Sequence, residues 1–126
     1  MLSTDGKWRY PATLIRVVDG DTVILKVDLG MNAFREGSYR LYGLDAPERD
    51  GPSTKLMEEL LANKTMEVQT HKQDKYGRYL VEIFVFPNPF DEVDATERTW
   101  LNVNQHMIES GHAVPYFGGT RTKPKV

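Results

Sequence analysis

Three short, turn-like segments hold most of the side chains able to do chemistry: Asp19-Gly20-Asp21-Thr22, the stretch from Arg40 to Glu48, and Asp74-Lys75-Tyr76-Gly77-Arg78. Asp21 and Asp45 fall at the ends of separate expected strands, where two carboxylates can converge on one hard divalent cation through oxygen ligands. Arg40 and Arg78 carry the planar fork that grips phosphate oxygens and neutralises charge developing on phosphorus. Glu48 adds a carboxylate placed to act on a water molecule. A Lewis acid, an oriented nucleophile and cationic clamps are what hydrolysis of a phosphodiester requires. Taken singly, each segment has a plainer reading as a hairpin turn, a surface salt-bridge cluster or a charged turn. Only their convergence makes a site.

Convergence needs a scaffold, and strand signals dominate the first half of the chain. Tyr10 to Val18 is β-prone, with Pro11 marking an edge or a strand start. Asp19 to Thr22 reads as a tight turn. Thr22 to Leu29 alternates, with Val23, Leu25, Val27 and Leu29 on one face. Gly30 to Gly37 reads as a connection, and Ser38 to Leu44 as a third strand that puts Tyr39 and Leu41 opposite Arg40 and Tyr42. Pro47 breaks that pattern. A helix enters at Gly51 to Thr54 and carries Leu56, Met57, Leu60 and Leu61 to its end near Asn63. Thr65 to Thr70 and Tyr79 to Phe86 are two more strands, joined by His71 to Arg78; the second is apolar almost throughout and is expected to be the most buried. Pro87 to Thr99 reads as an exposed acidic loop. Val103, Met107 and Ile108 stripe a short helix, with Gly111 as its C-terminal glycine. Five strands with a helix after the third fit a curled sheet or barrel with helices packed at one end.

The 126 residues fit one domain, 1–126, with residues 1–7 and 118–126 expected to be flexible ends. Cysteine is absent, which excludes a disulfide scaffold and any thiolate metal site. Sixteen basic against 18 acidic residues give a net charge of -2, so an anionic polymer must be handled through local rather than bulk charge. No signal-like or membrane-length apolar stretch is visible, and a cytoplasmic location is expected.

The three segments resemble the active-site motifs of the staphylococcal nuclease (thermonuclease) family: an Asp-Gly-Asp-Thr turn, an Arg-Leu-x-x-x-Asp-x-Pro-Glu segment and an Asp-Lys-Tyr-Gly-Arg turn, in that order at 19–22, 40–48 and 74–78. Val103-Asn104 and Gly111-His112-Ala113 resemble that family's second helix and its exit, so the similarity spans roughly residues 10–117. The resemblance implies an α+β, mainly β fold: a five-stranded OB-type β-barrel with two short helices. It implies a Ca²⁺ ion ligated by the carboxylates of Asp21 and Asp45 and the backbone carbonyl of Ala46, with Asp19 nearby as outer support. Arg40 would bridge the scissile phosphate, Arg78 would stabilise the transition state, and Glu48 would orient or deprotonate the attacking water. Lys75, Tyr76 and Tyr116 would contact the substrate nucleotide. The implied activity is calcium-dependent, sequence-nonspecific hydrolysis of single-stranded or frayed DNA or RNA to 3′-phosphate and 5′-hydroxyl ends; a monomer is expected, with a dimer left open. Relative to the family the loop after Glu48 is short, and the 87–99 loop is long and acidic.

Nuclease-like barrels with a degenerate site, serving as binding modules for nucleic acid or a protein partner, are the rival reading; intact Asp21, Arg40, Asp45, Glu48 and Arg78 favour catalysis. His71, His106 and His112 lack ligand-type spacing, and Trp8, Trp100, Phe84 and Phe86 read as packing residues.

Overall fold

A computed structural model describes residues 8–47 and 51–116. Strands β1 (Tyr10–Asp19), β2 (Thr22–Gly30) and β3 (Ala33–Leu41) form an antiparallel meander. A two-residue strand β4 (Leu44–Asp45) and helix α1 (Pro52–Leu61) follow. Then come β5 (Thr65–Gln73), β6 (Tyr79–Phe86), the short β7 (Leu101–Asn102), helix α2 (Val103–Glu109) and the short β8 (Val114–Pro115). β5 pairs antiparallel with both β1 and β6, and β6 pairs in parallel with β3. That last contact closes β1, β2, β3, β5 and β6 into a barrel, the expected OB-type arrangement with two short helices. β7 extends β6, and β4 pairs with β8.

Alternation fills the barrel. Val23, Leu25, Val27, Tyr39, Leu41, Val68, Val81, Ile83 and Val85 point inward and are buried. Met57, Leu60 and Leu61 of α1 and Val103 and Met107 of α2 join the same cluster. Pro52 starts α1, where its missing N–H costs nothing, and Asn63 leaves it with a positive φ. Asn102 caps α2 by accepting from the Gln105 N–H, and Gly111 ends it at φ 80°.

Two expectations are corrected. The connection between β2 and β3 is not residues 30–37: β3 begins at Ala33, and Met31 and Asn32 make the turn at φ 53° and 59°. The paired hairpin runs on past the last β1 partner, Val27, so Leu29 lies beyond the barrel and is exposed. The third strand does not reach Leu44; it ends at Leu41, and Leu44 restarts as β4 after a turn at Gly43 (φ 81°). β6 is, as expected, the most buried of the five barrel strands: Val81, Ile83 and Val85 point into the core, Leu80, Glu82, Phe84 and Phe86 are half-buried on its outer side, and no position is exposed. Phe84 lies under the Arg9 guanidinium at 3.7 Å and Phe86 packs on Trp100, as expected of packing residues, whereas Trp8 is half exposed. The 87–99 segment carries no helix or strand and is largely exposed, as expected. No helix among the described residues is long and apolar enough to cross a membrane. The tail from 118 and residues 1–7 lie outside the described residues.

Candidate active site

The turn between β1 and β2 is fixed on three sides before its carboxylates are considered. The Asp21 carbonyl accepts from the Leu41 N–H of β3 at 2.8 Å, and Asp19 Oδ1 accepts from the Asp21 N–H at 3.0 Å. Gly20 is pressed against the start of α1: a Cβ there would stand 2.7 Å from Ser53 Cβ and 3.0 Å from Ala46 Cβ. Glycine is therefore a packing requirement as well as a turn residue. Asp21 is thereby driven inward, where Oδ1 accepts from the Thr22 hydroxyl at 2.9 Å and Oδ2 from the Ala46 N–H at 3.1 Å.

Asp45, fully buried, arrives from β4, which β8 pins in place. Arg40 arrives from the outer face of β3. Its Nη2 donates to Asp45 Oδ1 at 3.1 Å and lies 3.6 Å from Asp21 Oδ2, so one guanidinium nitrogen sits against both carboxylates. Burial, and then the neighbouring Asp19 carboxylate, raise the Asp21 pKa above the ordinary carboxylate range; the Ala46 N–H and Arg40 only partly oppose this. Negative charge is concentrated here in a place poorly reached by water.

On the outer side of β3 and β6 lies a cleft of about 550 Å³, lined among others by Arg40, Tyr42, Lys72, Lys75, Tyr76, Arg78 and Tyr116. The β5–β6 turn that supplies Lys75, Tyr76 and Arg78 is organised by one side chain. Asp74 Oδ1 accepts from the N–H groups of Tyr76 and Arg78 at 2.9 and 3.0 Å, and Oδ2 takes Arg78 Nε and Nη2 at 2.9 and 2.8 Å. Burial tends to raise the Asp74 pKa, but the two backbone donors and the Arg78 charge outweigh it and hold the carboxyl below its ordinary range. Nη1 is the edge of Arg78 that Asp74 does not engage. Tyr76 is exposed, with Lys75 Nζ 5.2 Å and the Arg78 guanidinium 5.4 Å from its ring. Tyr116 is anchored by its N–H to the Gly43 carbonyl at 2.9 Å, and its ring lies 5.9 Å from the Arg40 guanidinium.

The structure thus brings Asp19, Asp21, Arg40, Asp45 and Ala46 together, and gathers Arg40, Lys75, Tyr76, Arg78 and Tyr116 around one cleft. Glu48 lies outside the described residues. Sequence reasoning missed Asp74 as the residue that aims Arg78, although an Asp at the start of a tight turn is a signal for such bonding. It also missed Tyr42 and Lys72 as cleft residues and His71 as their neighbour. No group of three His, Asp or Glu side chains with metal-binding geometry occurs among the described residues; the acidic set here is two buried carboxylates with Asp19 behind them.

Comparison with known proteins agrees with this geometry. Residues 38–125 match the model of the family described as staphylococcal nuclease homologues, a span that holds Arg40, Asp45, Glu48, Arg78 and Tyr116. Two Escherichia coli proteins, one from strain O157:H7, each named an uncharacterized endonuclease, are 33% identical to the chain over 107 residues, 82% of this chain and 59% of theirs. An uncharacterized protein of Methanocaldococcus jannaschii is 28% identical, across 90% of this chain and 63% of its own. The thermonuclease of Staphylococcus hyicus is 30% identical over 96 residues, 67% of this chain and 54% of that protein. The chain therefore spans roughly three-fifths of the length of the curated relatives it matches. A family match over more than half of the chain, agreeing with a closed barrel and its cleft, establishes that the chain belongs to the staphylococcal nuclease homologue family.

Proposed function

We propose that the protein is a calcium-dependent, sequence-nonspecific phosphodiesterase that hydrolyses single-stranded or frayed DNA or RNA to 3′-phosphate and 5′-hydroxyl products. The observation that carries this reading is Arg40 Nη2 resting against the carboxylates of both Asp21 and Asp45, at the wall of a cleft that also holds Arg78. The donor set suits a hard divalent cation: two carboxylates from different elements, excess negative charge that burial leaves poorly solvated, and oxygen ligands only. Asp21, Asp45 and the Ala46 carbonyl would hold the ion, with Asp19 adding charge behind Asp21. Bound there, calcium supplies positive charge for the phosphate oxygens and a more acidic water.

The remaining work falls to the chain. Arg40 exchanges part of its carboxylate contact for the phosphate and holds it in place. Arg78, its Nε and Nη2 fixed by Asp74, offers its Nη1 edge to charge developing in the transition state. Glu48 takes the proton of the attacking water; as the new oxygen–phosphorus bond forms the phosphorus–O5′ bond breaks, O5′ takes a proton from solvent and leaves as the 5′-hydroxyl, and the phosphate stays on the 3′ side. Tyr76 and Tyr116 offer ring faces to bases, and Lys75 offers charge to the backbone.

Release of acid-soluble fragments from single-stranded DNA and RNA, with calcium and then with chelator, tests the whole reading. Activity stops with chelator, and Glu48→Gln loses about two to four orders of magnitude in turnover while folding normally. Retention of polynucleotide with no fragment release under any condition makes the chain a binding module instead.

A further inference from the structure

We infer that Ser53 is a positioning residue of the cation site: its hydroxyl and its Cβ fasten together the two segments that carry Asp21 and Asp45, and so set how tightly the pair holds a divalent cation. Ser53 thereby governs the calcium affinity of the phosphodiesterase proposed above, a reading on which its role rests. Two buried carboxylates brought to one place repel each other, so the segments that carry them have to be held from behind. Ser53, the second residue of α1 and 4% exposed, does this on two sides. On the Asp21 side, it lies so close to Gly20 that a Cβ there would stand 2.7 Å from the Ser53 Cβ. On the Asp45 side, its hydroxyl donates to the His112 carbonyl at 2.8 Å. His112 stands two residues before Val114, the β8 partner of Asp45. The same segment is gripped from the other direction by α2, since the His112 and Ala113 N–H groups both donate to the Met107 carbonyl at 3.0 Å.

A serine in the first turn of a helix ordinarily turns its hydroxyl on its own helix, where free N–H groups and nearby carbonyls lie within reach. Ser53 does not. α1 is preceded by Gly51 with no side-chain cap, and the Ser53 hydroxyl reaches across 59 positions of sequence to the exit of α2. The bond therefore serves the junction between segments and not the start of the helix. Contacts behind metal ligands orient them, and losing one weakens metal affinity by about 10- to 100-fold. Ser53 acts through the backbone of the two segments and does not itself ligate the ion.

The test titrates calcium into the whole chain without nucleic acid and reads Kd by calorimetry. Ser53→Ala keeps the Cβ, removes the hydroxyl and raises the calcium Kd about tenfold or more. Ser53→Cys, which fills the same place with a weaker donor, gives a smaller rise. Asn102→Ala removes the α2 cap, lowers the melting temperature and leaves Kd unchanged, which separates positioning from a general loss of stability. On single-stranded DNA, the calcium that Ser53→Ala needs for half-maximal cleavage rises in step with its Kd. Its kcat at saturating calcium stays within about threefold of wild type.

A wild-type Kd in Ser53→Ala overturns the role while leaving cleavage, and the phosphodiesterase reading, intact. An equal rise in Asn102→Ala overturns it too, as does a wild-type chain that binds no calcium. Should Ser53→Ala fail to fold, Ser53→Cys against Asn102→Ala decides alone. Failure of the phosphodiesterase reading looks different: wild type binds calcium, Ser53→Ala binds it more weakly, and neither DNA nor RNA is cleaved under any condition.

Discussion

At the scale of single residues, the acidic side chains divide into one that suffers from its position and one that gains from it. Asp21 has its pKa raised, first by burial and then by Asp19. A carboxyl whose folded pKa exceeds its unfolded value binds protons more readily when folded, so stability falls as pH rises through that range, and the cost is fully present once pH exceeds the raised value. Asp21→Asn removes the charge, and its amide can still accept from the Ala46 N–H and donate to a rotated Thr22 hydroxyl. In chelator at pH 7 the variant therefore melts a few degrees above wild type, and it is inactive. Calcium at ten times its Kd stabilises wild type by about 1.4 kcal/mol and leaves the variant unmoved; equal shifts in both proteins rule Asp21 out as a ligand. Asp74 is the opposite case. Its pKa is depressed, so its contribution exists above the unfolded value and disappears as pH falls through the folded one. It keeps Arg78 tethered to a lower pH than an ordinary aspartate would. Asp74→Ala frees Arg78 and unties two backbone N–H groups, and kcat/KM drops about a hundredfold. Asp74→Asn keeps an acceptor for those groups and loses less. If Asp74→Ala retains wild-type kcat, Arg78 does not depend on this carboxylate.

Among the elements, the barrel was legible because inward positions of β2, β3 and β5 follow the period of two that a curved sheet demands. The β2–β3 turn was not, because Met31-Asn32 is an unusual pair for two successive positive-φ positions, and Phe34-Arg35-Glu36 lies beyond the core, where no inward face is enforced. β4 and β8 are two residues each, too short for any periodicity, yet they carry Asp45 and precede Tyr116. The motif residues could be read as types in order. The pairing of Arg40 with two carboxylates could not, since it depends on β4 docking against β8 and on the turn packing against α1. Asn104 ties these parts together: Oδ1 accepts from the Ile83 N–H at 3.0 Å, and Nδ2 donates to the Val81 and Tyr42 carbonyls, both at 2.9 Å. Asn104→Ala orphans a buried N–H at the centre of β6 and costs about 1–3 kcal/mol in chemical denaturation. It also releases the segment between β3 and β4, so cleavage falls more than the remaining folded fraction accounts for. Activity that tracks folded fraction alone would mean the segment is held by other contacts.

For the whole molecule, the proposed activity raises the question of how a chain of net charge -2 would meet a polyanion. Among the described residues four cations line the cleft, but Arg40 and Arg78 are already paired with carboxylates, leaving Lys72 and Lys75 as the least committed. Few counterions are then displaced, and the long-range field does little to gather substrate. The acidic 87–99 loop offers a way to change that field without touching the site. Glu92, Asp94 and Glu97 are exposed there, whereas Asp91 is committed to Thr99 through its N–H and hydroxyl. Replacing the three exposed acids with lysine reverses the sign of the net charge and leaves every cleft residue in place. If capture limits the rate at low substrate, kcat/KM on long single strands rises about tenfold at low salt. The gain fades by about 0.15 M salt, where the screening length is near 8 Å. Turnover at saturation stays constant, because the charges act on encounter and not on the bond being broken. A gain that persists at high salt, or that appears in kcat, would instead place this loop against the bound substrate.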